Sequence, residues 1–403
     1  MTKADTHKWE FKARFRRHAF GWKSQPAITR VKQAVTEIRK VARKEPVVAA
    51  EGAVTFFERL SPALEQIDSS SGAIGTAVGH AIEELVPVIG GAPASREVRE
   101  AWLERLFEAH ESDDIPYIER LADYWGDLCA SEEIASTWAD RLLPITRMAI
   151  GEDPSLRGHF HGTTACLSAL YAAGRFDEIV ALVRDDLIWP YRSWVVKALA
   201  AMGQKAEALR YAESCRSPWT NDFEVDSICE EIFLSSGLIE EAWSRYGLRA
   251  NRRSTYLATF RAVASKYPHK TAGEILAGLV ATTPGDEGKW FAAAKEAGLF
   301  DEALALARQT PCDPRTLARA ARDHVEKKPE FAVNAGLIAL HRLAEGYGYD
   351  ITSVDVLEAY RPTMEAAARL GVAAEVKERI RALTTSPGLG VRFLSQILRR
   401  ELE

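Results

Sequence analysis

From Pro26 onward apolar residues recur every three or four positions, and breaks at Gly, Pro or Asp-Ser clusters come every 10 to 20 residues. That is the period of a helix, and no segment alternates convincingly as a strand would. In "PAITRVKQAVTEIRKVARK" the residues Ile28, Val31, Val35, Ile38 and Ala42 form one stripe, while Arg30, Lys40, Arg43 and Lys44 lie largely elsewhere. The segment reads as an amphipathic helix with a basic outer surface. Further helices are expected over roughly 46–59, 73–89, 95–110, 115–128 and 132–149. The breaks "QIDSSSG", "IGGAPAS", "HESDD" and "CASEE" supply N-cap residues for the helices that follow them.

The second half carries an internal repeat centred on glycine. Gly174, Gly203, Gly237 and Gly298 are each followed four residues later by Glu178, Glu207, Glu241 and Glu302. Five, six and nine residues after each glycine the position is apolar or aromatic; so are the positions four and eight before it, such as Leu170 and Cys166 ahead of Gly174. Each copy reads as a helix, a glycine turn and a second short helix. The spacings are 29 and 34, and the gap of 61 before Gly298 fits one degenerate unit around "HKTAGEILAGL", with Glu274 in the acidic place. "RLGVAAEVKERI" repeats the pattern around Gly371 and Glu375. Glycine permits a sharp turn, and glutamate in a first helical turn complements the helix dipole.

The A-x-x-G-x-x-x-E-A core resembles the turn of a tetratricopeptide repeat, or of its Sel1-like and pentatricopeptide relatives, over about 159–310 and weakly over 360–385. The units are uneven and lack the regular bulky residues and terminal proline of that family. The resemblance implies an all-α, right-handed α-solenoid of stacked helical hairpins, a tetratricopeptide- or HEAT-like superhelix, and a bias toward binding peptides or proteins. The organisation expected is a basic aromatic arm with the first amphipathic helix over 1–45, irregular hairpins over 46–157, and repeats with a degenerate C-terminal cap over 158–403.

Composition changes this picture in two places. The five cysteines are scattered and never form C-x-x-C, which argues against a disulfide framework or zinc knuckle and for buried thiols. No stretch approaches ~20 uninterrupted apolar residues, so no transmembrane segment is expected, and the chain reads as cytoplasmic. The net charge of −5 hides an asymmetry: residues 1–45 hold 13 Lys and Arg against 4 acids, a balance of +9, which leaves −14 for the rest. Such an arm suits an acidic partner or the protein's own acidic body.

The arm "HKWEFKARFRRHAFGWK" is therefore the leading candidate site, with Trp9, Lys12, Arg14, Arg16, Arg17, Trp22 and Lys23 as its binding residues. Cations beside exposed rings suit single-stranded nucleic acid; they also suit an acidic protein or an anionic membrane surface, and the rings could equally cap the end of a solenoid. In "LIWPYRSW" Tyr191, Arg192 and Trp194 are candidate peptide-groove residues, weighed against a place in the core between repeats.

His159 and His161 would share an ion from a strand, but on a helix they diverge by about 200°, so no metal site is assigned. "SSSGAIGTAVG" lacks the lysine of a phosphate loop and reads as a serine cap before a helix in which Gly75 and Gly79 admit a close neighbour. Asp113-Asp114 and Asp185-Asp186 read as helix-end caps. No catalytic set and no cofactor is assigned. The sequence reading is a non-catalytic scaffold for a protein or peptide partner, with a nucleic-acid-binding accessory factor as the alternative.

Overall fold

The computed structural model describes residues 7–151, 158, 160–186, 188–385 and 388–403. Every regular element among them is helical. Contacts divide the chain into two compact units, Met1–Ile228 and Cys229–Glu403.

The first unit opens with α1 (Phe11–Arg14), α2 (Ser24–Ala42), α3 (Pro46–Leu64), α4 (Ala73–Gly90) and α5 (Arg96–Glu111). A 3-10 turn, Glu119–Tyr124, runs into α6 (Trp125–Cys129), followed by α7 (Glu132–Ala149), α8 (Thr163–Ala172), α9 (Phe176–Val183), α10 (Trp189–Ala201) and α11 (Lys205–Ser214). α12 (Asp222–Leu234) has residues in both units. α2, α3 and α4 pack on one another, α8 packs against α6, α7 and α10, and α10 packs against α9 and α11. The stripe expected on α2 is buried from Ile28 to Ile38. α4 is long and apolar enough to cross a membrane by length and composition, and half of that stretch is buried inside the fold.

The helix expected over 115–128 is the main departure. Asp113 is buried, and its carboxylate accepts the Ser61 hydroxyl and, at 2.7 Å, the Ile118 N–H. It thereby pins a turn through Pro116, which has no N–H of its own to give a helix, and helix resumes only at the 3-10 turn.

In the second unit α13 (Ile239–Ala242) runs into a π-turn, Trp243–Gly247, followed by α14 (Tyr256–Lys266) and α15 (Ala272–Ala281). A 3-10 turn, Glu287–Trp290, leads to α16 (Phe291–Glu296), α17 (Phe300–Gln309), α18 (Pro314–His324), α19 (Pro329–Glu345), α20 (Ser353–Arg369), α21 (Ala373–Leu383) and α22 (Val391–Leu402). α19 is central, touching α17, α18, α20, α21 and α22. Beside the π-turn, the fully buried Glu230 accepts Asn251 at 2.6 Å and the Tyr267 hydroxyl at 2.5 Å and pairs with Lys266. Burial, followed by the bond to Glu230, pushes the Tyr267 hydroxyl far up.

The glycine register holds in detail. Gly174, Gly203, Gly237, Gly298 and Gly371 all have left-handed φ, between 70° and 80°. In all five the residue after glycine donates to the carbonyl four before it: Arg175 to Leu170, Gln204 to Leu199, Leu238 to Phe233, Leu299 to Ala294 and Val372 to Ala367, at 2.9 to 3.0 Å. This is the Schellman closure of a helix. The side chains four and eight before each glycine and five and nine after it are buried in every copy, Cys166 and Cys229 occupying the same place, while Val180, Leu209 and Trp243, six after it, are half-buried. The degenerate unit differs at its turn: Gly273 lies inside α15, and Thr271 with Glu274 forms a capping box instead.

At Gly174 and Gly203 a Cβ would meet nothing within 4 Å, so alanine there is opposed by the left-handed backbone alone. At Gly336, on α19, a Cβ would overlap the Thr363 side chain of α20. Gly203→Ala is expected to cost about 1–2 kcal/mol and Gly336→Ala clearly more, through forced separation of two helices. Urea unfolding of the two variants checks the order.

Candidate functional site

The N-terminal arm separates its two kinds of residue. Trp9, Phe11 and Phe15 are buried. The Trp9 ring lies over α3 at Gly52, where any Cβ would overlap it. One turn on, Phe56 receives Phe11 and Phe15 edge-on, with centroids at 5.6 and 5.1 Å, a geometry that adds about 0.5–1.5 kcal/mol per pair beyond burial. Glu37 of α2 accepts the N–H groups of Glu10 and Phe11 at 2.7 and 3.3 Å, capping α1. The segment is tied further by His18 N–H to Pro62 O and Asp68 N–H to Trp22 O, both at 3.0 Å.

The cations stay outside. Arg14 pairs with Glu10 at 3.1 Å and Arg17 with Glu65 at 3.5 Å. Lys12, Arg16 and Lys23 are exposed and meet no carboxylate among the described residues, as do Lys32 and Lys40 on α2. Arg14, Arg30, Lys32 and Lys40 share an open groove of about 630 Å³ between the arm and α2. Gln25, Thr29, Gln33 and Thr36 add amides and hydroxyls to it. Its two carboxylates are engaged, Glu37 as the cap of α1 and Glu10 on Arg14. Of the rings named from the sequence, Trp9 is thus closed to any ligand, whereas Trp22 is 72% exposed.

The second candidate turns inward. Trp194 is buried, edge-on to Tyr171 at 5.8 Å, with the Lys197 ammonium 3.9 Å above its ring. Arg192 donates Nε to the Tyr211 hydroxyl at 3.1 Å, and that hydroxyl donates to the Arg184 carbonyl at 2.5 Å. Tyr191 is half-buried, and burial pushes its hydroxyl up. These side chains fasten α10 to its neighbours. Leu187, at the head of the motif, lies outside the described residues. Sequence reasoning passed over Trp219, which is 95% exposed; its only signal is a place among Pro218 and Asn221, which are turn residues.

His159 also lies outside the described residues. His161 is exposed, and its carbonyl meets the buried His110 Nε2 at 3.1 Å. Burial pulls the His110 imidazole down. No group of three or more His, Cys, Asp or Glu among the described residues is placed to hold a metal. At "SSSGAIGTAVG" the residue that opens α4 is the left-handed Gly72 rather than a serine cap, and at Gly79 the Arg120 guanidinium fills the space a Cβ would need. All five cysteines are buried. Burial pushes the Cys129 and Cys312 thiols up to about 12 and the Cys166 thiol up to about 11, away from the thiolate a nucleophile needs.

No protein-family model, no curated protein and no solved structure matches this chain.

Seating of the arm predicts that Trp9→Ala or Gly52→Val speeds tryptic cleavage after Lys12 and Arg16 by about tenfold or more, since local opening sets access. An unchanged rate in both variants would show that the arm is held by other contacts. Ellman's reagent at pH 8 is expected to leave all five thiols unmodified in the native protein and to modify all five in denaturant.

Proposed function

We propose that this protein is a non-catalytic scaffold, built as an α-solenoid of helical hairpins of the tetratricopeptide kind, that holds an acidic segment of a protein partner against the cationic face of its arm and α2. The observation that carries this reading is the division of the arm. Trp9, Phe11 and Phe15 are spent on Gly52 and Phe56, while Lys12, Arg16, Lys23, Lys32 and Lys40 remain in solvent with no carboxylate partner among the described residues. Many cations beside a single exposed ring, Trp22, favour a polyanion read by electrostatics. The amides and hydroxyls of the groove suit the backbone and carboxylates of an extended acidic peptide.

A second reading, nucleic acid, is favoured by the same cations and by exposed Trp22. The two differ in salt response and in preference. Fluorescence polarisation with a labelled glutamate dodecapeptide and with a labelled single-stranded 20-mer separates them. On the scaffold reading the peptide binds more tightly than the DNA at equal salt, and Lys32→Glu with Lys40→Glu weakens it about tenfold. Tighter DNA binding, with a log-log salt slope that falls by about 0.7 for each phosphate contact removed, would give the second reading precedence. If neither probe responds to the double reversal, the face is not the binding surface.

A further inference from the structure

A separate concavity lies wholly within Cys229–Glu403, where α17 and α21 flank α19. It has a volume of about 340 Å³, within the range of small-ligand pockets of about 300–1,000 Å³. Leu337, Ile338 and Leu383 supply an apolar surface, and Arg308 and Arg379 approach from the two flanking helices. Asn334 accepts Arg308 Nη2 at 3.1 Å while its own amide donates to the Glu330 carbonyl at 2.9 Å. The guanidinium at this edge thus has one hydrogen-bond acceptor of its own, Asn334, and its other donors face solvent. Arg379 has no carboxylate partner among the described residues.

The back of the pocket is also cationic. Arg342 is buried; its Nη1 pairs with Glu345 at 2.8 Å, and its Nη2 serves the carbonyls of Ala307, Arg308 and Thr310 at 2.9 to 3.2 Å. Its Nε has no acceptor among the described residues, an omission that costs about 1–3 kcal/mol for a buried donor. His341 completes the wall, and no carboxylate among the described residues belongs to it. Glu345 stands behind, occupied by Arg342 and by His341 at 3.4 Å. Two guanidinium groups lining one concavity with an apolar surface offer charge-assisted bonds to a planar anion and cover for a hydrocarbon chain.

We infer that this pocket binds an organic carboxylate with an apolar body, its carboxylate between Arg308 and Arg379 and its chain on Leu337, Ile338 and Leu383. The proposal is independent of the arm, which belongs to the other unit. The chemistry is shared by a free fatty or branched acid and by a glutamate side chain next to a leucine in a peptide, and the test separates these sources.

Calorimetric titration of the full chain uses hexanoate, hexanamide, acetyl-Leu-Glu-amide and acetyl-Leu-Gln-amide. At least one carboxylate is expected to bind saturably and its amide about tenfold more weakly, the loss of one charge-assisted hydrogen bond. Stronger hexanoate assigns the site to free acids; stronger acetyl-Leu-Glu-amide assigns it to peptides. Arg308→Ala and Arg379→Ala should each weaken the better ligand by about tenfold with unchanged thermal melting, since both side chains are exposed. Lys32→Glu, on the arm groove, should leave it unaltered. Equal binding of acid and amide, no saturable binding of either acid up to about 10 mM, or full binding by the folded Arg308→Ala, Arg379→Ala double variant would overturn the proposal.

Discussion

Ending a helix is the constraint on which this chain depends. A protein made of short helices leaves up to four carbonyls unsatisfied at every C-terminus, and many of those ends are buried among other helices. The chain meets the demand with one repeated device, a left-handed glycine whose successor bonds back into the last turn. Its recurrence at Gly174, Gly203, Gly237, Gly298 and Gly371, and again at Gly346 where Tyr347 N–H reaches Arg342 O at 2.9 Å, sets where each chain reversal falls. Because the reversal is fixed relative to the apolar positions on both sides, the same two stripes face inward in each copy. Packing follows from the turn as much as the turn from packing.

Where glycine does not finish the work, buried arginine does. Arg99 donates to the carbonyls of Ile89, Leu128 and Ala92 at 2.6 to 3.1 Å, and Arg342 serves three carbonyls at the C-terminal end of α17 in the same way. A cation at a helix C-terminus meets both the open carbonyls and the negative end of the dipole, which is why Arg99 sits inside with no carboxylate partner among the described residues and Arg342 with Glu345 alone. The contrast gives meaning to the cations that lack such work. Among the described residues Arg16, Lys32 and Arg379 meet no helix-end carbonyl and no carboxylate, so these exposed cations are free to serve a ligand.

Sequence reading reached the glycine turns because they impose both a residue type and a period, and it placed α2 to α5 and α7 within a few residues for the same reason. It did not see the turn at 113–118, since a buried aspartate holding Ser61, 52 positions earlier in the chain, leaves no local signature. Nor did it divide the arm. Trp9, Phe11 and Phe15 alternate with cations in a way that fits a stacking surface or a buried edge, and only the bare backbone of Gly52 on another helix decides between them. The carboxylate pocket drew no attention for a related reason: Arg308, Asn334 and Arg379 come from three helices and share no motif.

The two candidate surfaces also differ in what can make them selective. At the arm, long flexible lysines in high dielectric attract any polyanion, each contact is weak and screened by salt, and discrimination comes from charge spacing. In the pocket of the second unit, on the proposed reading, two exposed guanidinium groups border an apolar floor, so a carboxylate with an apolar body is selected by charge and shape together. A surface of the first kind increases the rate of encounter, and a site of the second kind determines what is retained. On the proposed scaffold reading, a chain that carries both would capture partners broadly and hold few of them.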